Sequence, residues 1–157
     1  MTAIRLPSSL SIALYQPDIP QNTGTILRLG ACLGLSVHII EPAGFVLTDT
    51  GLKRAGMDYL ERATLTRHRS WEHFNEWRQA QKRRLILLTT KSETPYGSFD
   101  YAANDILLFG RESAGVPQSV HEAADHALTI AMVEGLRSIN LACSVALVAG
   151  EALRQIT

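Results

Sequence analysis

The sequence has few of the features that mark several large classes of protein. Its two cysteines, Cys32 and Cys143, sit in apolar helical patterns without the spacing of metal ligands, so we expect reduced structural thiols and neither a disulfide nor a zinc site. The least polar window, Leu141 to Gly150, is far shorter than the about 20 residues that span a bilayer. No charged stretch followed by an apolar one marks the N-terminus as a secretory signal. The sequence therefore predicts a cytoplasmic protein without a membrane partner.

Three common motifs of nucleotide-binding and hydrolytic enzymes are also missing. The stretch from Gly110 to Gly115 has the glycine spacing of a phosphate-binding loop, but no Lys followed by Ser or Thr comes after it. Ser113 does not lie in the G-x-S-x-G setting of a hydrolase nucleophile, and no G-x-G-x-x-G fingerprint of a dinucleotide site occurs anywhere. An NTPase, an α/β-hydrolase and an ordinary Rossmann dehydrogenase are thus disfavoured, and no metal is expected.

What is present is the composition of a globular protein whose charge is unevenly distributed. Hydrophobic residues make up 46% and charged residues 19% of the 157 residues, so we expect one domain, residues 1–157, with a sizeable core. The 15 basic and 15 acidic residues cancel overall, yet Lys53 to Arg84 holds nine basic against four acidic residues. This excess would suit a nucleic-acid contact on one face, although a solvated helix face gives the same count.

Strands and helices are predicted to alternate along the chain, which indicates an α/β domain with a mainly parallel sheet flanked by helices. The predicted elements are strands at Ser11–Tyr15, Ser36–Ile40, Ala63–Thr66, Leu85–Thr89 and Ile106–Phe109, helices at Thr23–Leu33 and Leu52–Met57, and a helix capped by Ser70 that runs to about Ala80. Ligands of such sheets lie beyond the carboxyl ends of the strands, so the loops after Thr89 and Phe109 are the expected site.

A polar loop near the C-terminus runs directly into an apolar helix, which either Ser138 or Asn140 could cap. Apolar residues recur at helical spacing on one side and small residues line the other: Leu141, Val145, Val148 and Ala152, and Ala142, Ala146, Ala149 and Gly150. A helix that is apolar all round has to be covered on two sides. One cover can be the sheet of its own domain and the other a second copy of the subunit, unless the helix is simply the core helix of a monomer.

Two further segments could contact a ligand. Tyr15 to Gly24 is a Pro-rich turn between a strand and a helix, in which Asn22 is a good N-cap and Arg28 follows one to two turns later. The helix N-terminus could hold an anion and Arg28 could clamp a phosphate, or the segment is an ordinary capped helix with a surface arginine. The segment from Phe109 to Pro117 is predicted to form a tight loop in which the backbone can approach a ligand closely. The alternative is an ordinary turn.

Together these three segments resemble the motifs of the SPOUT superfamily of RNA methyltransferases, in the right order along the chain. The matching stretches are P-D-I-P-Q-N-T-G with a following arginine, L-L-F-G-R-E-S-A-G-V-P, and R-S-I-N-L-A-C-S-V-A, and the connecting stretches H-I-I-E-P, R-A-G-M-D-Y and T-T-K. The connecting stretches look like the branch that methylates the 2′-hydroxyl of cytidine or uridine 34 in tRNA. Three positions depart from the pattern: Gly150 stands where the family often has a tyrosine, and Ala142-Cys143 replaces Ser-Asn.

The resemblance implies an α/β domain with a deep C-terminal trefoil knot, a homodimer formed through the C-terminal helix, and S-adenosylmethionine as the cofactor. Matched position by position, Leu88, Gly110, Ile130 and Ser138 are implied to contact the cofactor, with Glu112, Gly115, Asn140 and Leu141 on the other motif positions of that pocket. The motif that faces the RNA contains Asn22 and Arg28. The implied catalytic group is therefore Arg28, Asn22, Ser138 and Asn140.

The implied reaction transfers a methyl group to the ribose 2′-hydroxyl of the wobble nucleotide in the tRNA anticodon stem-loop. Because the leaving thioether is neutral and needs no acid, correct positioning of the two reactants dominates the catalysis. A guanidinium has a pKa above about 12, so we expect Arg28 to clamp a phosphate or the developing alkoxide rather than to act as a base. The alternatives are a 2′-O-methyltransferase for another tRNA or rRNA position, and a non-catalytic RNA-binding protein with the same fold.

Overall fold

One parallel sheet of six strands runs through the described part of the chain, which is residues 9–48 and 64–157 of a computed structural model. The strands are β1 (Ser11–Tyr15), β2 (Ser36–Ile40), β3 (Leu65–His68), β4 (Leu85–Leu88), β5 (Ile106–Phe109) and β6 (His126–Leu128). They lie in the order β3-β2-β1-β5-β4-β6, and every pair is parallel. This confirms the predicted α/β class with a parallel sheet, whereas the trefoil knot stays a prediction.

Helices cover both faces of the sheet. The helices are α1 (Pro20–Leu33), α2 (Trp71–Ala80), α3 (Gln118–Ala123) and α4 (Leu141–Ile156), with a short 3-10 turn at Tyr96–Ser98. Ile12 and Leu14 of β1 pack on one face with residues of α1 and α4, while Ala13 and Tyr15 pack on the other face with Phe74 of α2. All of these strand residues are buried, as expected for a central parallel strand whose alternate side chains enter two cores.

Most predicted elements are confirmed, and the errors lie at their ends. The strands β1, β2 and β5 have the predicted bounds, Gly34 ends α1 in a left-handed conformation, and Ser70 caps α2 by accepting a hydrogen bond from the N–H of His73. The strand predicted at Ala63–Thr66 is found at Leu65–His68. Helix α3 and strand β6 were missed, because six and three residues are too few to carry a clear periodicity. The helix predicted at Leu52–Met57 falls outside the described residues.

The predicted start of α1 was wrong. The helix begins at Pro20, three residues before the predicted Thr23, because proline is well suited to the first helical turn. Asn22 is therefore not an N-cap but a buried residue inside the first turn, and Ile19 holds the cap position without a side-chain hydrogen bond of its own.

Part of the basic stretch has a structural role, as the described residues 64–84 show. Arg84 pairs with the buried carboxylate of Asp105 at 2.7 Å, Arg78 lies 3.3 Å from Asp125, and Arg83 donates to the carbonyl of Asn104 at 2.8 Å. These three side chains bind residues that precede β5 and β6, at the amino-terminal edge of the sheet. They are therefore engaged within the subunit and do not form a cationic surface available to RNA. Lys53, Arg54 and Arg62 lie outside the described residues.

The two cysteines, Cys32 and Cys143, are free and exposed, so they are not core residues, which corrects the expectation of structural thiols. Among the described residues, no cluster of three or more His, Cys, Asp or Glu side chains could hold a metal ion. None of the helices in residues 9–48 and 64–157 combines the length and the apolar character that crossing a bilayer requires.

Candidate active site

A cavity of about 590 Å³ opens at the carboxyl ends of β4, β5 and β6, which is the edge of the sheet where the sequence predicted a site. Its walls come from the segments that follow β4 and β5, from the loop between β6 and α4, and from the first turns of α1 and α4. The volume lies within the range of small-molecule sites in proteins, about 300–1,000 Å³.

The loop after β5 is folded tightly on itself. Arg111 and Gly115 exchange two backbone hydrogen bonds, 3.1 and 2.9 Å long. A Cβ atom on Gly110 would lie 2.7 Å from the Cα of Gly115, so this position has no room for a side chain. Gly115 has a φ of 65°, in the left-handed region that favours glycine. Both glycines are therefore needed to bring this backbone to the wall of the cavity.

Glu112 joins this loop to the start of α1. Its carboxylate accepts hydrogen bonds from the backbone N–H groups of Ile19, at 2.7 Å, and Asp18, at 3.4 Å. The side chain of Ile19, at the N-cap position, cannot accept a hydrogen bond, so Glu112 provides the capping carboxylate from a distant loop. Its negative charge also offsets part of the positive dipole at the start of the helix. Burial raises the pKa of the Glu112 carboxyl, and the hydrogen bonds that it accepts offset this only in part.

Asn140 connects the starts of α1 and α4. Its Oδ1 accepts from the N–H groups of Ala142, at 2.8 Å, and Cys143, at 3.3 Å, and its Nδ2 donates to Oδ1 of the buried Asn22 at 2.9 Å. Of the two residues predicted as caps of the last helix, Asn140 is the one found in that role. Two helix N-termini, each with positive dipole character, consequently meet beside the cavity.

The remaining walls are apolar side chains and a loop with unused backbone groups. Leu88, Ile130 and Leu141 line the cavity. Within the described chain, residues 130–139 make one backbone hydrogen bond, from the N–H of Leu136 to the C=O of Val133, 3.1 Å. Apolar surface beside free backbone donors and acceptors suits a purine nucleoside that carries an amino acid, so the residues present fit the S-adenosylmethionine implied by the sequence.

The structure brings together all but one of the predicted site residues. The cavity is lined by every predicted cofactor residue and by three of the four predicted catalytic residues, namely Leu88, Gly110, Glu112, Gly115, Ile130, Ser138, Leu141, Asn22 and Asn140. Arg28 is the exception, because it lies on the exposed side of α1 with Thr25 and Cys32 and is not part of the lining.

Several lining residues were not singled out from the sequence: Thr89, Thr90, Lys91, Arg111, His121 and Arg137. The first four lie at or next to the loops after Thr89 and Phe109, where the sequence predicted a site without naming these residues. No sequence signal marked His121, because α3 itself was not predicted.

Comparisons with known proteins agree with this geometry. The model of the SpoU rRNA Methylase family matches residues 9–150. The tRNA (cytidine(34)-2′-O)-methyltransferase of Ancylobacter novellus is 54% identical over 147 residues, covering 94% of this chain and 93% of that protein. The enzyme of the same name from Escherichia coli K12 is 44% identical over 149 residues, covering 94% of each chain.

Solved structures share the fold. One, from work on 2′-OH methylation of C/U34 on tRNA, has a TM-score of 0.89 at 40% identity and covers 95% of this chain and 97% of that one. An AdoMet-bound rRNA methyltransferase from Sinorhizobium meliloti has a TM-score of 0.87 at 24% identity, with coverage of 96% and 58%. At that identity the second likeness concerns the fold alone.

Proposed function

The chain belongs to the SpoU rRNA methylase family, and from its cavity and relatives we propose that it methylates the ribose 2′-hydroxyl of nucleotide 34, a cytidine or uridine, in the tRNA anticodon loop. S-adenosylmethionine is the proposed methyl donor. The observation that carries the proposal is the convergence of all predicted cofactor residues on one cavity, in a chain that is 54% identical to a tRNA (cytidine(34)-2′-O)-methyltransferase over nearly its whole length.

The cofactor would be held by the loops at the carboxyl ends of β4, β5 and β6. Leu88, Ile130 and Leu141 offer apolar surface for its purine ring, and the absence of a side chain at Gly110 lets the loop after β5 fold back on Gly115 and form the wall. When bound, S-adenosylmethionine supplies an electrophilic methyl group on a positively charged sulfur. A site of low polarity helps this transfer, since the charge on that sulfur is lost as the methyl group leaves.

The residues of the chain itself contribute mainly by positioning. The hydrogen bond between Asn140 and Asn22 holds the starts of α1 and α4 in one arrangement, and both residues lie on the cavity wall. Helix N-termini attract negative charge, so this corner suits a phosphate or the oxygen of a ribose that is losing its proton. Accurate placement of the reacting atoms can account for a large part of the rate, about 7–11 kcal/mol in well-oriented systems.

The proposed enzyme works as a homodimer that associates through α4. Val145, Val148 and Ala152 are buried against the rest of the subunit, whereas the opposite face, with Cys143, Ala146, Leu147, Gly150 and Arg154, is exposed. A mostly apolar helix face of this kind is usually covered by another surface. Arg28 would then act as a clamp on a phosphate or on the developing alkoxide, in a site that two copies of the chain share.

An anticodon loop is a suitable substrate because its nucleotides can be splayed out, so that a single 2′-hydroxyl is presented. Residues 1–157 are proposed to act as one domain, and the RNA would then be recognised by surfaces next to the cavity. An enzyme that acts on tRNA would work in the cytoplasm.

Mass spectrometry of tRNA nucleosides tests this proposal. Cells without the protein should lose 2′-O-methylated cytidine or uridine at position 34 and regain it when the gene is restored. If methylation were lost at another RNA position, that position would be the substrate and not nucleotide 34. Unchanged methylation together with retained RNA binding would favour the non-catalytic alternative.

A further inference from the structure

Arg111 differs from most other arginines in the described part of the chain. The guanidinium groups of Arg67, Arg69, Arg78, Arg83, Arg84 and Arg154 each donate a hydrogen bond to a described residue. None is found for the Arg111 guanidinium among the described residues, and its Nε is buried without a hydrogen-bond partner. Arg111 nevertheless lines the cavity, together with the residues that are proposed to bind the cofactor and the RNA.

The position of this side chain is set from two sides. Its backbone is fixed by the paired hydrogen bonds with Gly115, and its Nε lies 3.5 Å from Oδ2 of Asp18. Asp18 is itself held, because its carboxylate accepts from the hydroxyl of Ser113 and its Cα and Cβ atoms pack against Gly44. A Cβ on Gly44 would lie 2.6 Å from the Cβ of Asp18, so these two loops are in direct contact.

The end of the Arg111 side chain approaches a second loop, the one that follows β2. A Cβ built on Gly44 would lie 3.7 Å from Nη2 of Arg111, so the end of the Arg111 side chain lies close to the loop after β2. The Arg111 charge also acts on Tyr15 at the end of β1, where burial and Glu72 raise the pKa of the phenol and Arg111 opposes them. The guanidinium therefore lies on the side of β1 and β2. Leu88 and Ile130, which are proposed to contact the cofactor, lie at the end of β4 and after β6, in the opposite half of the sheet.

The charges around the cavity favour a polyanion. Its wall contains three cations, Lys91, Arg111 and Arg137, and one carboxylate, Glu112. The Glu112 carboxylate is bound by two backbone N–H groups and forms no ion pair with these cations in the described part of the chain, so cations outnumber carboxylates in the wall by two. An arginine whose Nε faces a carboxylate can still use its two Nη groups to bind a phosphate in a bidentate manner.

We propose that Arg111, aligned by Asp18, binds a backbone phosphate of the RNA substrate next to the nucleotide that is methylated. This inference rests on the proposed function and adds to it a specific phosphate contact. In this role Arg111 determines how the substrate is positioned and leaves the chemistry of the methyl donor unchanged.

The test is the affinity of the full-length protein for a tRNA anticodon stem-loop as a function of salt concentration, measured without methyl transfer. Arg111→Gln should weaken binding about tenfold, the size expected for a charge-assisted hydrogen bond. The slope of log K against log salt should fall by about 0.7, the value for one contact to a single-stranded phosphate. Calorimetry with S-adenosylmethionine should give the wild-type dissociation constant.

Lys82→Gln is the matched control. Lys82 is exposed and precedes β4, so it lies at the amino-terminal edge of the sheet, opposite the cavity, and this variant removes the same charge. We expect it to leave both the affinity and the salt slope unchanged. Equal losses in Lys82→Gln and Arg111→Gln would mean that only the total charge matters, and would overturn the inference.

Two further variants separate charge from alignment. Arg111→Lys should keep the salt slope but lose part of the affinity, because an ammonium group cannot bind in a bidentate manner. Asp18→Asn should also keep the slope while weakening binding several-fold, and thermal unfolding of each variant shows whether the fold is intact.

Unchanged stem-loop affinity in a folded Arg111→Gln variant would contradict the inference, as would an affinity loss for S-adenosylmethionine, which would assign Arg111 to the cofactor instead. The proposed function is judged separately by the wild-type protein. A wild type that binds and methylates the RNA, combined with a silent Arg111→Gln, would refute the inference alone, whereas a wild type that binds no RNA would refute both.

Discussion

Nδ2 of Asn140 donates a 2.9 Å hydrogen bond to Oδ1 of Asn22, which lies 118 positions earlier in the chain. The Oδ1 of the same Asn140 side chain accepts from the N–H groups of Ala142 and Cys143, so both ends of its amide are used. This side chain therefore performs two tasks: it caps α4, and it fixes the start of α4 relative to the start of α1.

A double-mutant cycle separates the two tasks. Asn22→Ala removes the link but leaves the cap, so we expect a loss of about 1 kcal/mol in the free energy of unfolding, whereas Asn140→Ala should lose about 1 kcal/mol more. Both single variants should reduce methyl transfer strongly, since both release the two helix starts. In chemical unfolding of the double variant, the costs should be less than additive by about 1 kcal/mol, and full additivity would show that the bond contributes nothing to stability.

Gly110→Ala should strongly weaken cofactor binding. The added Cβ would lie 2.7 Å from the Cα and C atoms of Gly115, and because these are backbone atoms the whole loop has to move. Gly97→Ala is the control, since a Cβ there meets no atom within 4 Å. Calorimetry with S-adenosylmethionine should detect wild-type affinity for Gly97→Ala and at least about a hundredfold weaker binding for Gly110→Ala. Similar affinities for the two variants would mean that the loop does not form the cofactor site.

Leu147→Asp should convert the proposed dimer to a monomer. Leu147 is 45% exposed on the outer face of α4, where a second copy would cover it. A carboxylate buried there without a partner should raise the dimer dissociation constant by at least about a hundredfold. Analytical ultracentrifugation measures this, and Val46→Asp, which changes an exposed residue outside α4, should remain a dimer. A wild-type protein that sediments as a monomer would contradict the dimer proposal.

Stability should fall in mild acid because of a buried histidine pair. Nδ1 of His38 lies 2.9 Å from Nε2 of His68, against the rings of Phe74 and Trp77. Burial, together with the charges of His68 and Arg83, lowers the pKa of His38 from 6.5 to about 4. Below pH 6.5, His38 is therefore protonated in the unfolded chain but stays neutral in the folded chain. As the pH falls from 6.5 to about 4, the free energy of unfolding decreases by up to about 3 kcal/mol.

Urea unfolding of the wild type and of His38→Gln between pH 7.5 and 4.5 measures this effect. The variant should have a lower stability at pH 7.5 but a smaller dependence on pH. His68 adds to the remaining slope in the same direction, because burial lowers its pKa as well. Parallel curves for the two proteins would exclude His38 as the source.

The parallel sheet could be predicted from the sequence because each central strand is a short apolar run with clear ends. Ser11–Tyr15 and Ile106–Phe109 have the predicted bounds for this reason. The start of α1 was misplaced because Asn22 has the side chain of a good cap, while the actual cap comes from Glu112, about ninety residues away. A contact of that range leaves no local signal, so propensity rules chose the nearer residue.

The sequence predicted the motif residues of the candidate site, but it did not predict which cations are available to bind RNA. Gly110, Glu112 and Asn140 were found from the resemblance, and they line the cavity. The cluster of basic residues around Arg84 suggested an RNA surface, yet Arg84 is bound to the buried Asp105 at 2.7 Å. Which cations are held by internal carboxylates depends on tertiary contacts, and counts of charge along the chain do not contain that information.

Methyl transfer to a synthetic anticodon stem-loop is the most direct test of the central claim. The purified protein is incubated with labelled S-adenosylmethionine and either the ordinary RNA or the same RNA with a 2′-deoxynucleotide at position 34. We predict that label enters the ordinary RNA at nucleotide 34 and does not enter the deoxy RNA. Equal labelling of the two RNAs, or no labelling of the ordinary RNA by a protein that binds it, would contradict the account.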